Sequence, residues 1–170
     1  TKTPIVDEEV LNNLGLFINR QNLSRMIFMH DMYKNIIHIN GVIMEFGVRW
    51  GQNLSLFQNF RGMYEPYNHT RKIIGFDTFE GFPSIDKKDG GAKVATIGSY
   101  SVTEGYEEYL TQILDYHESE SPISHLKKYE LVKGDATKTL EKYLHKNPET
   151  IVALAYFDFE QGTTRVGYRP

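Results

Sequence analysis

Apolar side chains recur at helical spacing through the first 40 residues. Leu11, Leu14 and Phe17 begin the pattern, which breaks around residues 19–21. A second stripe with a period close to 3.6 residues follows, at Leu23, Met26, Ile27, Met29, Met32, Tyr33, Ile36 and Ile37. Methionines at this spacing favour core packing over ligand contact, although a methionine-rich helix can also form a lid. We predict an N-terminal helical segment, or lid, over residues 1–40.

From residue 41 the pattern changes to short, almost wholly apolar runs, which are typical of buried parallel strands. The four runs are 42–46, 72–77, 129–135 and 151–158. Helical patterns separate them after Gly51, at 104–116 and at 137–145, and polar loops are expected at 62–70, 86–92 and 119–122.

Strands that alternate with helices predict an α/β fold, a Rossmann-like parallel sheet with helices on both faces. We assign residues 41–160 to this domain and 161–170 to an irregular tail.

Composition narrows the class of protein. The 170 residues carry 19 lysines and arginines against 22 aspartates and glutamates, a net charge of −3. This balance argues against nucleic-acid or anionic-membrane partners. The chain has no cysteine, which excludes disulfides, thiolate metal sites and cysteine nucleophiles. It has no apolar run of membrane-spanning length and no apolar core near residues 1–9, so we expect a cytoplasmic protein.

Each apolar run carries an acidic residue at or near its carboxyl end: Glu45, Asp77, Asp135 and Asp158. Open α/β sheets bind ligands outside these strand ends. One acid could be a helix cap, but a series in consecutive units indicates a ligand site.

The first turn, from Glu45 through Gly47 to Gly51, has the spacing G-x-x-x-G. It lacks the G-x-G-x-x-G of dinucleotide-binding proteins and the Walker pattern of P-loop nucleotidases, which opposes a dehydrogenase or a nucleotidase. Asp77 closes the second strand, where a carboxylate can accept both ribose hydroxyls or cap the next turn.

The third and fourth strand ends each leave two interpretations open. Asp135 and the neighbouring Ala136 could face an adenine ring, or Asp135 could cap the following helix. Asp158 and Glu160 would point to one side of a strand, where paired carboxylates suit Mg²⁺ or a general base, or are simply solvated.

Three segments together resemble the class I S-adenosylmethionine methyltransferases, and more narrowly the macrocin O-methyltransferase type, which methylates sugar hydroxyls. They are residues 44–48 (MEFGV), 74–83 (IGFDTFEGFP) and 155–159 (AYFDF). The string FDTFEGFP is the most specific, and the resemblance covers roughly residues 20–160.

This resemblance implies S-adenosylmethionine as cofactor, with Glu45 and Gly47 beside its methionine part. It implies that Asp77 and Thr78 hold the ribose and that Asp135 and Ala136 face the adenine.

It further implies that Asp158 is catalytic, as a Mg²⁺ ligand where the sugar hydroxyl is deprotonated. His117 and His125 are candidates for the base, although a lone histidine is more often an ordinary surface residue.

The resemblance stops near Glu160, because the motifs expected beyond the fourth strand are absent. We therefore expect a C-terminally truncated form whose activity is uncertain. The alternative to a sugar O-methyltransferase is a non-catalytic adenosyl-binding module, or a fragment completed by a partner chain. An apolar fourth strand at the edge of the sheet also predicts a homo-oligomer.

Overall fold

The computed structural model describes residues 4–80, 102–103 and 105–158. The predicted loop at 86–92, the tail at 161–170 and Glu160 lie outside the described residues. The strands are β1 Val42–Phe46, β2 Ile73–Asp77, β3 Tyr129–Lys133 and β4 Val152–Phe157. The helices are α1 Asp7–Val10, α2 Arg20–Ile36, α3 Gln52–Tyr64, α4 Tyr106–Ser119 and α5 Ala136–Lys146, with a 3₁₀ turn at Leu14–Leu16.

The four strands form one parallel sheet in the order β3-β2-β1-β4. From β1 the chain moves outward through β2 to β3, and then returns to the other side of β1 for β4. The strand order therefore reverses between β1 and β4. In open parallel sheets this switch point opens a crevice at the carboxyl ends of the strands, where ligands bind.

Both faces of the sheet are covered by helices, which confirms the predicted fold class. On one face, Ile43 and Ile73 belong to a core shared with α2, α3 and α4. On the other face, Met44 and Ile74 lie in a second cluster that includes Tyr143 of α5. Val48 packs closely against Gly75 of β2, because a Cβ at position 75 would lie only 2.7 Å from its side chain.

Helices α3 and α4 each continue several residues beyond the ends expected from the sequence. Residues 62–64, expected in a loop, form the last residues of α3, and α4 continues to Ser119. Both extensions follow from tertiary contacts, because Arg61 of α3 binds Glu118 of α4 with two hydrogen bonds of 2.9 and 3.0 Å. This buried pair holds the last turns of both helices together.

The apolar stripe of α2 is only partly buried. Met29, Tyr33 and Ile36 are in the core, whereas Leu23 and Ile27 are exposed. The helix packs on the sheet through its second half. Its first half extends toward the carboxyl edge of the sheet, where Arg25 contacts the residue that follows β4.

Charged side chains fasten the amino edge of the sheet. Lys128, just before β3, donates to the Ile123 and Leu126 carbonyls and pairs with Glu118. Arg71, just before β2, donates to Glu65 and to the Gly41 carbonyl. These buried charges have partners, as buried charges require. No helix in the described part of the chain is long and apolar enough to cross a membrane.

Candidate functional site

Three of the predicted acidic residues lie at the carboxyl edge of the sheet. Glu45 lies in β1, Asp77 ends β2 and Asp158 follows β4. The charges of Asp158 and Asp77 both act on Glu45. The candidate site is thus centred on β1, with β2 on one side and the switch point on the other.

Glu45 is completely buried. Its Oε1 accepts a 2.7 Å hydrogen bond from Nδ2 of Asn53, which lies in the first turn of α3. Burial raises the pKa of Glu45 to about 8, and the carboxylates of Asp158 and Asp77 add to this, against the opposing effects of Asn53 and Arg25. Near neutral pH this carboxyl group is therefore largely protonated before a ligand binds.

Two buried polar atoms in this pair lack a hydrogen-bond partner among the described residues: Oε2 of Glu45 and Oδ1 of Asn53. Such atoms are costly unless a ligand or water supplies a hydrogen-bond partner. Sequence reasoning missed Asn53, although a polar residue on the inner side of α3 was the available signal.

The turn after β1 has left-handed backbone at both of its glycines. Gly47 has φ of 89° and Gly51 has φ of 75°. The positive φ of Gly47 is a backbone conformation that side-chain-bearing residues rarely adopt, which accounts for glycine beside Glu45. The second glycine is required by packing, because a Cβ at Gly51 would lie 2.3 Å from Leu110 of α4.

Asp77 organises two turns of the site. Its Oδ2 accepts from the Arg49 amide at 2.8 Å, and its Oδ1 accepts from the Phe79 amide at 2.6 Å. The turn-capping role is therefore present. These two contacts do not exhaust the acceptor capacity of Asp77, since each carboxylate oxygen can accept more than one hydrogen bond. The ribose contact stays a prediction. Thr78 accepts a weaker bond of 3.3 Å from the Glu80 amide.

Asp135 caps α5, the helix that begins at Ala136. It accepts from the amide and the hydroxyl of Thr137 at 3.0 and 2.7 Å. These hydrogen bonds lower the pKa of Asp135. Asp135 therefore acts as the N-cap of α5. The adenine contact of Asp135 and Ala136 stays a prediction.

Asp158 forms an ion pair with Arg25 of α2. The Arg25 Nη2 atom lies 2.6 Å from Oδ2 of Asp158, and both side chains are 44% exposed. The Asp158 amide also donates to the Phe46 carbonyl at 2.8 Å, which fixes the start of the segment after β4.

The predicted Mg²⁺ site does not fit the side chains that the structure describes. Within the described ranges, no three histidine or acidic side chains come together as a metal ion would require. Asp158, the proposed ligand, instead faces a guanidinium group. We derive no step through a metal ion.

Neither candidate histidine lies at the site, so the suggestion that one is the base is wrong. Helix α4 runs from the carboxyl edge, where Tyr106 bonds the Trp50 carbonyl, to the amino edge, where Glu118 accepts from the Lys128 amide. His117 lies in its last turn and His125 in the connection to β3. Both are at the opposite edge of the sheet.

The chain is similar in sequence and fold to two solved methyltransferase structures. One is described as the calicheamicin methyltransferase CalS11; it is 44% identical, with a TM-score of 0.89 over 92% of this chain and 62% of that chain. The other is the apo structure of CalS11, described as a TDP-rhamnose 3'-O-methyltransferase of calicheamicin biosynthesis. It is 40% identical, with a TM-score of 0.78 over 92% of this chain and 60% of that chain.

The chain therefore has a methyltransferase-like α/β fold, and it spans about three fifths of the length of the structures it matches. No family model matches the chain. No curated protein matches it either. The narrower resemblance to the macrocin type stays a prediction.

Proposed function

We propose that this chain binds S-adenosylmethionine and serves in an O-methyltransferase that acts on a sugar hydroxyl. The observation that carries the proposal is that Glu45, Asp77 and Asp158 all lie at the carboxyl edge of the sheet, around β1 and beside the switch point between β1 and β4. The fold in which they lie is shared, at 44% identity, with a protein described as a calicheamicin methyltransferase.

The chemistry of the site suits this cofactor. The amino group of S-adenosylmethionine is rich in donors, and the buried acceptor Asn53 Oδ1 lacks one. A cation beside Glu45 also favours the ionised form of this carboxyl group, whose Oε2 then accepts a hydrogen bond. Gly47 leaves the backbone beside Glu45 open to the methionine part. Asp77 accepts the ribose hydroxyls with Thr78 close by, and Asp135 with Ala136 receives the adenine.

When bound, S-adenosylmethionine supplies an electrophilic methyl group on its sulfonium. The chain's own contribution is to position the acceptor and to remove a proton. Asp158, at the end of β4 and half exposed, accepts the hydrogen bond of the sugar hydroxyl and takes its proton as general base. This role requires Arg25 to release at least part of its hold on the carboxylate.

The acceptor is a small sugar or glycan, and the protein acts in the cytoplasm. A homo-oligomer is supported by the exposure of β4, where Val152 is 42% and Phe157 is 62% exposed.

Isothermal titration calorimetry tests the cofactor class. S-adenosylmethionine and S-adenosylhomocysteine should bind, and NADH should not. Asp77→Asn should weaken both adenosyl ligands, whereas Glu141→Gln, an exposed acid on α5, should leave them unchanged. Binding of NADH with no binding of S-adenosylhomocysteine would reject the proposal.

Turnover tests the reaction. Methyl transfer to TDP-rhamnose, the sugar nucleotide named for the similar enzyme, would support the sugar acceptor. Tight cofactor binding without transfer to any sugar nucleotide would instead favour the non-catalytic adenosyl-binding module.

A further inference from the structure

We infer that Arg25 is an internal counter-ion of the candidate site, which sets the preference of the site between S-adenosylmethionine and S-adenosylhomocysteine. The inference rests on the proposed function and adds to it a residue that selects between the cofactor and its demethylated product. Arg25 is expected to act by competing with the positively charged ligand for the same carboxyl groups.

The position of Arg25 follows from the direction of α2. The carbonyl of Ile36, at the end of α2, accepts a 2.9 Å bond from Arg71 at the amino edge of the sheet. The helix therefore runs antiparallel to the strands. Its second turn, which contains Arg25, lies over the carboxyl edge and reaches Asp158, 133 positions further along the chain.

The charges of the site are unequal. Among the described residues, the carboxylates of Asp158 and Asp77 raise the pKa of Glu45, and the guanidinium group of Arg25 lowers it. Tyr156 of β4 pairs in register with Glu45 of β1, so both lie in the same row of the sheet. Arg25 thus offsets part of a negative field that would otherwise attract a cation.

The two adenosyl ligands differ by one methyl group and one positive charge, which lies on the sulfonium. Every interaction they share cancels when their dissociation constants are divided. A residue that binds the common carboxylate, ribose or adenine changes both constants equally. A counter-ion changes their ratio, because only the sulfonium competes with it.

The experiment measures by calorimetry the ratio of the dissociation constant of S-adenosylhomocysteine to that of S-adenosylmethionine. Arg25→Gln removes the charge and keeps a polar side chain. We expect the ratio to rise about two- to fivefold, the range for a partly exposed charge pair. Arg25→Lys, which retains the charge, should stay close to wild type.

Arg20→Gln is the matched control, because Arg20 is an exposed arginine one turn earlier on α2. Its ratio should not change. Asp158→Asn should move the ratio in the opposite direction, toward S-adenosylhomocysteine. Raising the salt concentration should reduce the difference between Arg25→Gln and wild type, because salt screens exposed charges.

The outcomes separate the inference from the proposed function. If both ligands bind and Arg25→Gln leaves the ratio unchanged, or weakens both equally, the counter-ion role is wrong and the proposed function stands. If neither ligand binds wild type or any variant, both are wrong. A ratio that rises in Arg25→Gln and in Arg20→Gln alike would also reject a specific role for Arg25.

Discussion

Asn53 donates a 2.7 Å hydrogen bond to the fully buried Glu45, and this contact joins the first turn of α3 to the central strand β1. It satisfies one oxygen of the carboxyl group and leaves the other without a described partner. The burial of Glu45 with one oxygen unpartnered therefore lowers the stability of the free protein.

That cost should depend on pH. The pKa of Glu45 is about 8 in the folded chain against 4.5 for an ordinary glutamate. An acid with a raised pKa favours folding below pH 4.5, and the advantage is lost as the pH rises toward 8. Relative to wild type, Glu45→Gln should therefore gain about 2–4 kcal/mol of unfolding free energy between pH 5 and pH 8.5.

Urea denaturation at both pH values measures this gain, with Glu141→Gln as the exposed control. If the difference in unfolding free energy between Glu45→Gln and wild type is the same at both pH values, Glu45 does not hold its proton in the folded state.

The buried ion cluster at the amino edge should be sensitive to the loss of its acid. Glu118 accepts from Arg61 and from the amide of Lys128, and it pairs with the Lys128 ammonium. Glu118→Gln leaves two buried cations without their counter-charge, which should cost about 3–5 kcal/mol. Chemical denaturation measures the loss, and Glu120→Gln, two positions on and exposed, should lie close to wild type.

Gly51 and Gly105 form a matched pair, since each precedes a helix with φ near +75°. A Cβ at Gly105 meets none of the described residues within 4 Å, so Gly105→Ala should cost about 1 kcal/mol for its positive φ alone. Gly51→Ala adds a clash with Leu110 and should cost about 1–3 kcal/mol more. Equal thermal stabilities of the two variants would contradict the close packing of α4 on this turn.

The cap of α5 gives a test of the two interpretations of Asp135. Asp135→Ala should cost about 1 kcal/mol of stability, whereas Asp135→Asn retains an acceptor for the Thr137 amide and should cost little. If Asp135 also accepts the adenine amine, Asp135→Asn should still weaken S-adenosylhomocysteine in calorimetry. If binding is unchanged, Asp135 caps α5 and does not contact the adenine.

The exposed strand β4 should allow the protein to self-associate. We expect light scattering to show a mass that increases with concentration, because β4 leaves apolar side chains exposed at one side of the sheet. Val152→Lys places a charge on that strand and should reduce the association. A monodisperse monomer at every concentration would remove the support for a homo-oligomer.

Many elements of this fold could be predicted from local sequence patterns. Short apolar runs predicted all four strands. The central strands β1 and β2 are buried along nearly their whole length, which is the condition that makes a parallel strand apolar throughout. The acids at the ends of these runs predicted the edge at which Glu45, Asp77 and Asp158 lie, because parallel strands end together.

The tertiary structure decided which groups face one another. The Arg25–Asp158 pair joins residues 133 positions apart, and the Asn53–Glu45 bond depends on how α3 lies on β1. His117 and His125 are placed away from the site by the direction of α4. The sequence alone determined the elements and the polar ends of the strands, because burial and periodicity are local properties. Packing and chain direction determined their partners, because these depend on contacts between distant parts of the chain.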